Sequence, residues 1–246
     1  MPLLFKRDLV KYFAEMLVVV LGILIAFQVD EWRDGLQIER DLQAALVRLK
    51  EETQTNLRHC GIVVPLGERL AGSVQLVLKS IQSGRLREAD IGEFEYGLTH
   101  IGFLPGRPYL TTVAEEMIAT GLLKELDNVG LQTNIASTLI QTELRSENMA
   151  IQSRFLQSIV DELARTVEYS YGGETELNEI RQPTTMGVFE DGIEVAYDFA
   201  SLANNRYLRN LLFETTDGYI DMYIGNYEIC ARFKKIDDQL AAQGIE

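Results

Sequence analysis

The first sustained pattern along the chain is an uncharged run, Met16 to Val29, reading MLVVVLGILIAFQV. A core helix of a globular protein is rarely apolar on every face between charged ends. A helix lying in the interface would carry a polar stripe, which Met16–Ala26 lacks. The run alone is shorter than the roughly 20 residues that cross a bilayer, but its flanks lengthen it. Tyr12 and Phe13 precede it and Trp32 follows it, at the depths where aromatic belts and headgroups meet. From Tyr12 to Trp32 a helix rises about 30 Å, the thickness of a hydrocarbon core. Leu24, Ile25 and Ala26 lack the small-x-small signature of a cleaved leader. The pattern therefore predicts a short cytoplasmic tail over 1–11 and a transmembrane helix over 12–32, with Lys11, Tyr12, Phe13 and Trp32 at the two interfaces.

Beyond the span the period changes to that of amphipathic helices. From Asp30 to Asn56 there is no proline, and Leu42, Leu46, Leu49 and Thr53 recur at helical spacing. This predicts a helix continuous with the span, with Gly35 a possible joint and an end near Cys60–Gly61, before Pro65. Further helices are expected over about Leu66–Ser83, Glu88–Thr99 and Thr111–Thr120, with a turn at Gly102–Pro108. Two long rows then follow a 3.5-residue step. The first runs Ile135, Leu139, Thr142, Ser146, Met149, Ser153, Leu156, Val160, Leu163, Val167. The second runs Leu208, Leu212, Thr215, Tyr219, Met222, Asn226, Ile229, Phe233, Ile236, Leu240. Such spacing marks helices packed nearly parallel or antiparallel, as in coiled coils and bundles; the Thr, Ser and Asn positions favour an intramolecular bundle. Between them, about 171–205 reads as a long loop with one short strand around Val188. The expected fold class is all-α: one transmembrane helix continuing into a helical-bundle domain over 33–246.

Charge bears on direction and on partners. Lys6, Arg7 and Lys11 precede the span, against Arg33 and Arg40 shortly after it. The positive-inside bias then places the N-terminus in the cytoplasm and the domain outside, periplasmic in a bacterial inner membrane. A net charge of -14 without any basic patch excludes a nucleic-acid footprint. The two cysteines, Cys60 and Cys230, form no metal-binding motif. They are open to a disulfide in an oxidising compartment, or to separate burial as thiols.

Within the span, Glu15 is an intramembrane acid. Its readings are snorkelling to the headgroups, pairing with Lys11, or a contact with another subunit. Gly22 and Ala26 make a small-xxx-small pair suited to close helix association. His59 and His100 sit in no ligand motif, and no nucleophile elbow, P-loop or dinucleotide fingerprint occurs. No catalytic residue, metal or cofactor is expected. Glu115–Glu116 and Asp237–Asp238 read as solvated surface, and Tyr219, Tyr223 and Tyr227 as helix-packing aromatics or, alternatively, one wall of a binding groove.

Two stretches carry a resemblance. Glu15-x-Leu17-Val18-Val19-x-x-Gly22-Ile23-Leu24-Ile25-Ala26, followed by Trp32 and an acidic helix ending in Glu51-x-x-x-x-Asn56, resembles the start of an uncharacterised bacterial family of single-pass membrane proteins. Thr112-Val113-x-Glu115-Glu116-Met117-x-x-x-Gly121-Leu122-Leu123 is similar to a central pattern of that family, with Val113 in place of a usual Trp. The resemblance implies topology and a helical remainder, with no activity attached. Together these readings describe a membrane-anchored interaction or accessory protein. Its partners would be the lipid bilayer and other protein subunits or copies of itself. A ligand-sensing domain acting through a partner subunit and an enzyme of unknown type are the alternatives.

Overall fold

The computed structural model describes residues 3–104, 106, 108–171 and 193–245, apart from the side chains of residues 3–15 and 171. The protein is mostly helical. Helix α1 spans Leu3–Ser83, α2 Ile91–His100, α3 Thr112–Ala119 and α4 Val129–Thr166. An antiparallel hairpin of β1 (Val167–Tyr171) and β2 (Ile193–Tyr197) follows, with Val167 opposite Tyr197 and Tyr171 opposite Ile193. Helices α5 (Phe199–Asn204) and α6 (Arg206–Ala242) complete the chain. Asn128, Asp198 and Asn205 each cap the helix they precede, accepting a backbone N–H from Leu131, Ala200 and Leu208 respectively.

The break expected before Pro65 is absent: α1 is one helix of 81 residues, and Gly35 makes no joint. Proline costs a helix the bond to the carbonyl four residues back, here that of Gly61. Gly61 and Pro65 both lie on the exposed side, where water can serve that carbonyl. On the opposite side the buried row runs through without interruption, from Leu46, Leu49, Thr53 and Asn56 to Val63, Leu70, Val74 and Val77. α6 packs along this row, burying every position of the second 3.5-residue row from Leu208 to Leu240. Continuous tertiary packing outweighs one lost backbone bond.

The hairpin corrects the sequence reading too, since Val167–Tyr171 leaves the helical row as a strand, and Ile193–Tyr197 and α5 structure part of the expected loop. Val, Tyr and Ile at alternating positions suit a half-buried strand. The strand expected around Val188 lies outside the described residues.

The interior has two apolar centres. One gathers Leu70, Val74, Phe94, Ile159, Leu163 and Leu208; the other gathers Leu46, Met117, Leu131, Ile135, Ile236 and Leu240. Between them a third cluster surrounds Cys60 and Cys230, which are joined by a disulfide with Cα atoms 5.8 Å apart. The bond ties α1 to α6 about two-thirds of the way along each helix. Toward Ala45, Lys50 Nζ lies 2.9 Å from Asp237 Oδ1 and donates to the Asp237 carbonyl at 3.2 Å.

α1 extends beyond the domain toward its N-terminus. Met16 to Arg40 contains no buried residue. Among the described residues, no helix is long and apolar enough to cross a membrane. The uncharged run begins at Met16 and meets Asp30 and Glu31. The upstream residues that complete the sequence argument, Tyr12 to Glu15, have side chains outside the described set.

A cross-link between positions 170 residues apart removes much of the unfolded chain's freedom. The paired Cys60→Ala/Cys230→Ala variant should lose about 2–4 kcal/mol in denaturant unfolding while keeping its far-ultraviolet helical signal. An unchanged midpoint would show that the bridge adds nothing.

Candidate interaction surface

α6 is the middle of three long helices, with α1 along one side and α4 along the other. The α4 seam differs from the expected row. Ile135, Thr142, Leu156 and Leu163 are buried as expected, but the alternate positions are Thr138, Arg145 and Ile159, with Gln152 half-buried, in place of Leu139, Ser146, Ser153 and Val160. The seam is thus rotated by about 50°, half of one residue's turn. The reason lies on α6, where Gly218 and Gly225 notch the same face at a seven-residue spacing. Arg145 fills the second notch: its Nη1 lies 3.4 Å from where a Cβ on Gly225 would stand, and its Nη2 donates to the Met222 carbonyl at 2.9 Å. Gln152 Nε2 donates to the Gly218 carbonyl at 3.3 Å.

Apolar side chains remain outside this seam. Leu144, Ile151 and Phe155 on α4 and Phe213 and Ile224 on α6 are exposed, Phe155 at 64% and Phe213 at 62%. They border two adjoining hollows of about 570 and 550 Å³ that form one groove between α4 and α6. Its α6 wall carries Glu214, Asp217, Asp221 and Glu228, all exposed. Its α4 wall contributes no carboxylate. Among the described residues the cations lining it are Arg145, which is buried, and Arg232 at one end. The far side of α4 is different: Leu139, Thr142, Glu143 and Ser146 face Tyr109 and Thr111 of the α2–α3 connection. By 100° per residue these two α4 surfaces are back to back.

A second arrangement joins the two stretches singled out by resemblance. Successive turns of α1 present Arg48, Glu52 and Asn56 to Leu110–Glu116. Asn56 is buried and mimics a strand partner, donating to the Leu110 carbonyl at 2.8 Å and accepting its N–H at 2.9 Å. Helix α3 has no side-chain cap of its own. Glu52 supplies one from α1, accepting the Val113 N–H at 3.0 Å, with the Thr112 and Ala114 N–H groups near enough to favour its charged form. Arg48 meets Glu116 in a two-pronged pair at 2.8 Å. Glu116 and Asp237 are thus engaged in ion pairs rather than simply solvated. Burial raises the Glu52 carboxyl above the usual range, against the Val113, Ala114 and Thr112 N–H groups that lower it.

Both histidines are buried. His59 packs edge-on to Tyr109, with ring centres 5.5 Å apart. The Tyr109 hydroxyl donates to Asn226 Oδ1 at 3.2 Å, and burial pushes it up to about 12. His100 stacks on Tyr96 at 4.0 Å, and Arg69 covers the Tyr96 ring at 3.6 Å. Tyr219 ties the loop after α2 to α6: its hydroxyl accepts the Gly102 N–H and donates to the Phe103 carbonyl, both at 3.0 Å. Gly102 has φ +102°, and a Cβ there would stand 2.5 Å from Val160. Of the tyrosine stripe, then, Tyr219 is core, Tyr223 half-buried and Tyr227 exposed.

Of the other residues singled out from the sequence, Trp32 is exposed, and Gly22 faces open space, with nothing within 4 Å of where a Cβ would stand. Ala26 lies on the same exposed helix segment. The side chains of Lys11, Tyr12, Phe13 and Glu15 lie outside the described set. Among the described residues no three His, Cys, Asp or Glu side chains gather as a metal site requires. Comparison with protein families, characterised proteins and solved structures finds no match to this chain.

Arg145 is buried, with no carboxylate in ion-pair contact among the described residues, and burial lowers its pKa. A buried cation left in that condition stabilises little. Arg145→Met should leave stability unchanged or raise it by up to about 2 kcal/mol in urea unfolding, since the thioether fills the same notch. A loss of more than about 2 kcal/mol would show the guanidinium to be a structural strut.

Glu52 yields a pH signature. Its folded-state value lies above the unfolded one, so the stability its protonated form contributes is complete below the ordinary Glu range. That contribution is lost as pH rises through the raised value. Glu52→Gln keeps an acceptor for the α3 N–H groups and should gain on the wild type as pH rises from about 4 to 7. A stability difference that stays constant over that interval contradicts the assignment.

Proposed function

We propose that this chain is a membrane-anchored helical interaction protein, a subunit of a membrane assembly or a homo-oligomer, with residues 12–32 as its anchor. The observation that carries this reading is the unbroken course of α1, which leads from an exposed, uncharged run directly into the core of the domain. Met16–Val29 offers only apolar or small side chains over all faces until Gln28, and among the described residues no other element covers it. In water such a surface is costly, at about 25 cal/mol for each Å² left exposed. Extension to Tyr12 and Trp32 supplies the length and the aromatic ends of a span.

The basic residues before the run and the Cys60–Cys230 bridge beyond it both fit a domain on the outer, oxidising side. The resemblance of the two motif stretches to a family of bacterial single-pass membrane proteins points the same way. The α4–α6 groove supports the interaction reading, since contiguous exposed apolar side chains rimmed by charge mark contact surfaces. The ligand-sensing alternative draws on the same groove. A small molecule, however, would normally be enclosed on most sides, and the residues that border this groove stand open to solvent.

Full-length, untagged protein should sediment with membranes, resist extraction by high salt and alkaline carbonate, and dissolve in mild detergent. Native mass spectrometry of the extract should then show a complex heavier than one chain. Recovery in the high-speed supernatant overturns the anchor; a bare monomer in detergent overturns the assembly.

A further inference from the structure

We infer that the α4–α6 groove is the docking site for one amphipathic helix of a different protein, apolar along one face and lined with Lys or Arg along the flank that meets α6. The inference deepens the interaction reading above and rests on it only for the premise that the domain has a protein partner.

Shape comes first. The groove extends along α4 from Gln141 to Ser158, about 26 Å at 1.5 Å per residue, which accommodates a helix of roughly five turns. Leu144, Ile151 and Phe155 are spaced by seven and four residues, so they form one ridge facing Phe213 and Ile224 across the hollows. With α1, α6 and α4 side by side and the α2–α3 connection on the other side of α4, a further helix laid here would complete a bundle-like layer. Helix-in-groove recognition uses such anchor rows.

Charge then selects the occupant. The α6 wall presents Glu214, Asp217, Asp221 and Glu228, and the α4 wall offers no exposed cation to offset them. A second copy of this chain is a poor match, because the same face brings its own four carboxylates against one half-buried cation at its end, Arg232. The negative wall likewise repels an anionic lipid surface. A helix with a basic flank meets the carboxylates and covers the ridge at once, and like-charge contacts exclude acidic competitors.

The test uses full-length protein in detergent and three fluorescent 18-residue probe peptides. The first carries Leu at the groove spacing with a Lys flank, the second replaces each Lys with Glu, and the third scrambles the first. Anisotropy should show saturable binding of the Lys peptide, with the Glu and scrambled peptides at least about tenfold weaker. Ile151→Glu/Phe155→Glu changes two exposed positions and should weaken the Lys peptide about tenfold or more while leaving the circular dichroism spectrum unchanged. Asp217→Lys/Asp221→Lys should reverse the preference in favour of the Glu peptide.

Equal binding of all three peptides, no binding, or insensitivity to the groove substitutions overturns the inference. So does a dimer in native mass spectrometry that Ile151→Glu/Phe155→Glu dissociates, since a second copy would then be the occupant. The two readings fail separately. Protein that sediments with membranes but ignores the peptides refutes the groove alone, whereas soluble protein that binds the Lys peptide with the stated selectivity refutes the anchor alone.

Discussion

The side-by-side pairing of α1 with α6 is the constraint from which the rest of the domain follows. Each helix offers one uninterrupted buried row, and the two rows meet over most of the length of α6. The Cys60–Cys230 bridge fixes their relative height, and Lys50 with Asp237 holds them toward the C-terminal end of α6. Once that pair is set, α2, α3 and α5 are each placed by contacts to it. Gly97 lets α2 come so near α1 that a Cβ would stand 2.9 Å from the Ser73 carbonyl. Asn56 and Glu52 seize the chain entering α3, and Tyr219 holds the loop between them from the α6 side.

Polar groups in the interior serve registration more than cohesion. Arg145, Gln152, Asn226 and Tyr109 lie between the two apolar centres, and each makes a directed bond that a sliding or rotated helix would lose. Buried hydrogen-bonded groups of this kind add little net stability but penalise alternatives strongly. The glycine notches at 218 and 225 determine which face of α4 is accepted, and therefore which face is left outside.

The α6 row was fully legible in the sequence, because it is apolar or aromatic at eight of ten positions and its two polar members, Thr215 and Asn226, fall in step with them. The α4 row was legible in period but displaced in phase. Leu139 and Val160 look more like core than Thr138 or Arg145, and only the paired glycines of the facing helix reveal the preference. The break before Pro65 was a local expectation overruled by packing that no local pattern contains. Val167–Tyr171 continues the apolar period of the helix before it, so the turn to strand was hidden. As for the candidate surface, Leu144, Ile151, Phe155, Phe213 and Ile224 fall on neither 3.5-residue row, so no periodic pattern marks them. The excess of exposed apolar residues emerges only when both helices are in place.

Between Trp32 and Ala45, the first buried residue of the domain, α1 runs through thirteen helical steps, about 20 Å, with Leu36 and Leu42 half-covered and the rest in solvent. On the membrane-anchored reading this stretch is a stalk without a hinge. A helix with its backbone bonds intact bends little over such a distance, so the domain would stand off the bilayer at a near-constant height and turn as the anchor turns. A partner seated between α4 and α6 would meet the protein at one altitude and one azimuth above the lipid surface, and loose tethering would not be required to bring the two together.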